Sequence, residues 1–95
     1  MAVRVLIDRE IEPGSEAKLL QLLVQMRSKA MRTKGYISGE TLRDLTDPNK
    51  FLVISTWNSV EDWKAWEAGP DRKQFQEELK PLLRVPERAT IFGNF

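Results

Sequence analysis

Three tryptophans, Trp57, Trp63 and Trp66, lie within one short stretch of this chain. Each carries a large flat ring and one N–H donor, so together they mark either a packed core or a cleft that receives a planar ligand. Trp63 and Trp66 are three positions apart, the spacing that puts two side chains on one face of a helix. Histidine and cysteine are both absent. That removes an imidazole base or proton shuttle, the usual catalytic triad and a thiol nucleophile. It also removes zinc held by nitrogen or thiolate and the proximal histidine of a haem. No nucleophile, base and oxyanion set has a spacing that fixes its geometry.

The elements that must position these rings follow from the hydrophobic pattern. Val3 to Glu10 alternates, with Val3, Val5 and Ile7 on one face and Arg4, Leu6 and Asp8 on the other, which predicts a strand. Pro13-Gly14 breaks the chain, and Ser15 is expected to cap a helix running from Glu16 to about Thr33. Its stripe is Leu19, Leu23, Met26 and Ala30, widened by Leu20 and Leu22, and Gly35 ends it. The cations Arg27, Lys29, Arg32 and Lys34 suit the negative end of the helix dipole, so that run reads as capping.

Tyr36 to Leu45 predicts a second strand, with a bulge expected at Gly39, and Asp47-Pro48-Asn49-Lys50 a tight turn into a third strand, Phe51 to Trp57. Ser59 with Glu61 and Asp62 behind it opens a short helix bearing Trp63 and Trp66. Gly69-Pro70 ends that helix and starts another, carrying Phe75 and Leu79, which Pro81 should stop. Arg88 to Phe95 is expected to form a last strand.

At 95 residues, with 41% hydrophobic and 31% charged side chains, the chain has the composition of one soluble globular domain, residues 1–95. A net charge of +1 lacks the basic excess that phosphate-backbone binding requires, so nucleic acid is not an expected partner. No apolar run is long enough to span a bilayer. The N-terminal residues have the pattern of a strand and not of a secretory signal, and with no cysteine present a cytoplasmic location is the expectation.

Strand, helix, strand, strand, broken helix, strand is the split βαβ order. It is an α+β, ferredoxin-like fold in which a four-stranded antiparallel sheet carries its helices on one face. The third strand has apolar side chains on both faces, and the cheapest cover for the second face is another copy, which predicts a homodimer. With TWNSVEDWKAWEAGPDRKQF after the third strand, nearly the whole chain resembles the antibiotic biosynthesis monooxygenase superfamily of dimeric α+β barrels.

The resemblance implies a cofactor-independent monooxygenase. Its substrates would be molecular oxygen and an electron-rich aromatic such as a quinol, anthrone or polycyclic phenol, with no metal or flavin. Under it, Trp66 is expected to donate its ring N–H into the cleft, Asn58 to orient the substrate and Asp8 to act as base. Arg72 would hold a phenolate, with Trp63, Tyr36 and Phe75 contributing to substrate binding. The haem-degrading branch is also similar at Trp66, but Asp8 stands near its asparagine and Gln76 at its ligating histidine, and glutamine is a poor iron ligand.

Structural roles compete with each of these assignments: Trp63 as core, Asn58 as the end of a strand, Asp8 as a solvated residue paired with an arginine, Arg72 as an exposed helical cation, and Tyr36 packed on a neighbouring strand. The alternative to an enzyme is a non-catalytic ligand-binding or dimerisation module of the same fold.

Overall fold

Val3, Val5 and Ile7 point into the protein and Arg4 and Asp8 point out, so β1 (Val3–Glu10) is a half-buried strand of the kind its alternation predicts. The computed structural model describes residues Met1–Phe95. After β1 come α1 (Glu16–Ala30), β2 (Tyr36–Arg43), β3 (Lys50–Trp57), α2 (Val60–Ala68), α3 (Pro70–Leu79), a 3-10 turn at Lys80–Leu82, and β4 (Arg88–Phe92). The four strands form one antiparallel sheet in the order β2-β3-β1-β4. This is the ferredoxin-like α+β arrangement, and β1 and β3 hold its centre.

Register fixes what the helices cover. Val3 pairs with Trp57, Val5 with Ser55, Ile7 with Val53 and Arg9 with Phe51, and paired residues share a face. One half of the core joins Val3, Val5, Ile7, Ala30 and the three tryptophans, and the other joins Ile11, Leu19, Leu22, Phe51, Phe75 and Leu79. A buried indole removes roughly 200 Å² from water, at most about 5 kcal/mol at ~25 cal/mol/Å², so the tryptophans dominate their half. The opposite face carries Leu6, Leu42, Leu52, Ile54 and Phe92, and no element of this chain lies over it.

Several local expectations are corrected. The bulge in β2 falls between Tyr36 and Ser38, not at Gly39. The extra residue reverses the alternation, so Tyr36 joins Gly39, Thr41 and Arg43 on the helix-covered face instead of Ser38, Glu40 and Leu42. Ser15 makes no side-chain cap, because its backbone (φ −92°, ψ 3°) is not the extended one that turns a hydroxyl back onto the first turn. Ser59 is extended and does cap α2, its Oγ accepting from the Asp62 N–H at 3.1 Å.

Helix α1 stops at Ala30, where Arg32 and Thr33 turn back on Lys29 and Ala30 through i−3 bonds. Gly35 has φ +87°, and a Cβ there would overlap the Asp62 side chain, so glycine at this position both turns the chain and lets α2 approach β2. Helix α3 does stop ahead of Pro81, at Leu79, with Pro81 held in the 3-10 turn that follows, while β4 stops at Phe92 and not at Phe95.

Candidate functional site

A cavity of about 270 Å³ lies between the covered face of the sheet and α1. Strands β1 and β3 supply Ile7, Arg9, Val53, Ser55 and Trp57, while β2 supplies Tyr36, Gly39, Glu40 and Thr41. Helix α1 closes it with Leu20, Leu23, Val24, Met26, Arg27 and Ala30, and α2 contributes Trp63 and Trp66. Eleven of the 17 lining residues are hydrophobic, which suits a largely apolar ligand. Leu20 and Val24 are apolar yet 54% and 71% exposed, so they sit at the rim.

The rings form one aromatic wall. Tyr36 meets Trp57 edge-on at 5.4 Å between centroids, Trp63 meets Trp57 at 5.7 Å, and Trp66 lies 6.1 Å from Trp57, tilted by 30°. Trp57 donates its indole N–H to Ser55 Oγ at 3.1 Å, which fixes the central ring. A Cβ on Gly39 would stand 2.6 Å from the Tyr36 hydroxyl, so this glycine makes room for the phenol against the sheet.

The cavity's buried charged residue is Arg9, 4% exposed. It donates from Nε to Glu87 Oε2 at 2.8 Å, and its guanidinium lies 5.1 Å from the Phe75 ring centre. Arg72, 3% exposed, donates from Nη2 to Glu87 Oε1 at 2.8 Å, and Gln76 Nε2 donates to the same oxygen at 3.2 Å. Arg72 Nε is buried without a partner.

Burial works to push the Glu87 carboxyl up, but the two guanidiniums outweigh it and hold the group below the ordinary carboxylate range. Burial pulls the Arg9 guanidinium below its ordinary value, opposed by Glu87. Arginine's intrinsic pKa is so high that Arg9 stays a cation.

The expected site residues divide. Trp63, Trp66 and Tyr36 are brought together in the cavity. Asp8 is not: strand alternation puts it on the uncovered face, exposed, paired with Leu52 on one side and Arg88 on the other. Asn58 is exposed beyond β3, and its backbone N–H donates to the Gly35 carbonyl. Arg72, expected to hold a phenolate or else to stand exposed on its helix, is buried against Trp63 and Phe75 and is not among the residues that line the cavity.

Phe75 is core, 3% exposed, and does not line the cavity. Arg9, Ser55 and Glu87 were not anticipated. For Arg9 the signal was present, since continuing Val3, Val5, Ile7 by two residues turns Arg9 inward. Glu87 follows Pro86 in a loop, where no periodicity points to burial.

A wider groove of about 700 Å³ runs along α3 and the segment before β4, lined chiefly by polar and charged groups such as Lys73, Gln76, Glu77, Lys80 and Arg84. It has no aromatic wall. No cluster of acidic, histidine or cysteine residues is placed to hold a metal ion, and no helix is long and apolar enough to cross a membrane.

A small α+β domain of this architecture is the form this chain shares with known proteins. Residues 2–78 match the antibiotic biosynthesis monooxygenase family, and the chain belongs to it. Among curated proteins it is similar to SchA of Streptomyces halstedii, 27% identical over 82 residues. It is also similar to a 42.8 kDa protein of the whiE locus of Streptomyces coelicolor, 23% identical over 82 residues.

Those matches take in 86% of this chain but only 22% and 21% of the relatives, so the chain spans about a fifth of the length of the curated proteins it matches. Two solved structures share the fold closely. A conserved protein from Methanosarcina mazei has a TM-score of 0.94 at 15% identity, over 100% of this chain and 94% of the other. SnoaB, a cofactor-independent oxygenase from Streptomyces nogalater, has 0.88 at 16%, over 99% and 93%.

Proposed function

We propose that this protein is a cofactor-independent monooxygenase that oxidises an electron-rich aromatic compound, a quinol, anthrone or related phenol, with molecular oxygen. The observation that carries this reading is the cavity lined by Tyr36, Trp57, Trp63 and Trp66, an aromatic lining that suits a ring substrate. At about 270 Å³ it lies just below the usual span of ligand pockets, roughly 300–1,000 Å³, which favours a substrate of few rings. Membership of the family and likeness to an oxygenase described as cofactor-independent support it further.

In such a reaction the deprotonated substrate supplies the electrons. At a ring methylene, one atom of O₂ enters the product as a new carbonyl oxygen and the other leaves as water, with the two methylene hydrogens. The chain's part is to hold the ring, exclude bulk water and stabilise charge in an apolar enclosure. Trp66 is the assigned N–H donor, with Trp63 and Tyr36 as ring contacts. The uncovered sheet face, rich in leucine and isoleucine, supports a homodimer formed across it.

Oxygen uptake by metal-free protein over a panel of reduced quinols and anthrones tests the proposal. Uptake above the buffer rate, lowered about a hundredfold to a thousandfold by Trp66→Phe, is the expected outcome. A panel on which no compound reacts faster than in buffer would favour the second reading, a ligand-binding module. That reading draws support from one observation: no buried carboxylate lines the cavity to serve as base.

A further inference from the structure

Two buried guanidiniums share one carboxylate beside this cavity. Arg9 and Arg72 both bond to Glu87, and no other carboxylate lies within ion-pairing distance of either. Gln76, the fourth member of the cluster, is neutral. The cluster therefore holds one positive charge more than it neutralises, in a setting where an uncompensated charge costs several kcal/mol. The other charged lining residues, Arg27 and Glu40, are exposed and opposite in sign, so water screens them and they leave the surplus unchanged.

The surplus is accessible at Arg9. Glu87 engages Arg9 through Nε, and guanidinium has five N–H groups, four of them on the Nη atoms. Arg9 lines the cavity, whereas Arg72 stands behind it against Trp63 and Phe75. No buried base stands beside the cation: Asp8 faces the other side of the sheet, and the one lining carboxylate, Glu40, is exposed. A site built this way need not abstract a proton if its ligand arrives already ionised.

We infer that the cavity selects aromatic ligands that carry an anionic oxygen, a phenolate or a ring carboxylate, and that Arg9 is the residue that reads the charge while Arg72 and Glu87 position it. This deepens the oxygenase reading, on whose ring cavity it rests, by assigning the substrate's charge state.

Binding of compounds that do not react with oxygen separates the two ideas. Calorimetric titration with 2-naphthoate and its neutral isostere 2-naphthamide measures charge preference directly, and the colour of 4-nitro-1-naphthol reports the pH at which the bound phenol ionises. Wild-type protein is expected to bind naphthoate roughly tenfold to a hundredfold more tightly than the amide, the span of a charge-assisted hydrogen bond. It should also hold the nitronaphthol as its anion at lower pH than buffer does.

Arg9→Met leaves Arg72 and Glu87 as a neutral pair, so the fold survives while both effects disappear, and Arg9→Lys retains part of each. A preference in one arm alone supports the inference and says whether phenolate or carboxylate is the ligand. Equal binding of naphthoate and naphthamide with no shift for the nitronaphthol overturns the inference and leaves the ring cavity standing. So does a preference that persists in Arg9→Met. If none of the three ligands binds the wild type, the ring-cavity reading falls together with the inference.

Discussion

Among single residues, the division between Trp66 and Asp8 decides most. Both have side chains suited to an oxygenase, yet one lines the cavity and the other stands exposed on the far face of the sheet. Asp8→Asn is therefore expected to leave oxygen uptake within about twofold of wild type, below the effect of losing a transition-state contact. Side-by-side rates for Asp8→Asn and Trp66→Phe check it. The tryptophan cluster was legible in the sequence because large rings at helical spacing have few places to go. Arg9 was legible only in part: alternation turns it inward, but nothing in the sequence says that Glu87, 78 residues later, waits to pair with it. Long-range ion pairs leave no periodic trace.

Elements set these residues by a few local devices. The β2 bulge is one, since without it Tyr36 would leave the cavity for the uncovered face. Sequence pattern placed a bulge in this strand through its glycine, but Gly39 has a different task, giving space to the phenol three residues earlier. Gly35 is the other device, and Gly35→Ala would combine a left-handed backbone with overlap against Asp62. A loss of about 2–3 kcal/mol in urea-denaturation stability is expected. Ser59→Ala removes a cap and should lose about 1 kcal/mol in the same assay. The order of strands and helices was readable because each has its own hydrophobic period. Helix ends and caps were less so, as Ser15 and Ser59 show, because the same residue caps or does not according to a backbone angle.

For the whole molecule, the uncovered sheet face and the buried cluster make separate predictions. Ile54 lies at the centre of that face, paired with Leu6 and Glu40; the proposed homodimer predicts a dimer for the wild type in sedimentation equilibrium and monomers for Ile54→Glu, without emptying the core. Acid should act through Glu87, with Asp44 and Asp47 in the β2–β3 turn contributing. Hydrogen bonds from Thr46 hold Asp44 below the usual range, and those from Asn49 and Arg84 do the same for Asp47. Folded-state values below the unfolded ones stabilise the protein above about pH 4, and that stability is lost as pH falls through the folded values. Denaturation midpoints should thus drop on acidification below about pH 4, and Glu87→Gln should flatten part of that slope. The three indoles give the molecule one more property. All of them line the same cavity, with Trp57 within about 6 Å of each of the others, so the ultraviolet fluorescence of this chain originates almost wholly at the candidate site. A ring that enters should dim or shift nearly the entire emission at once, so the protein carries a built-in optical gauge of occupancy and needs no label.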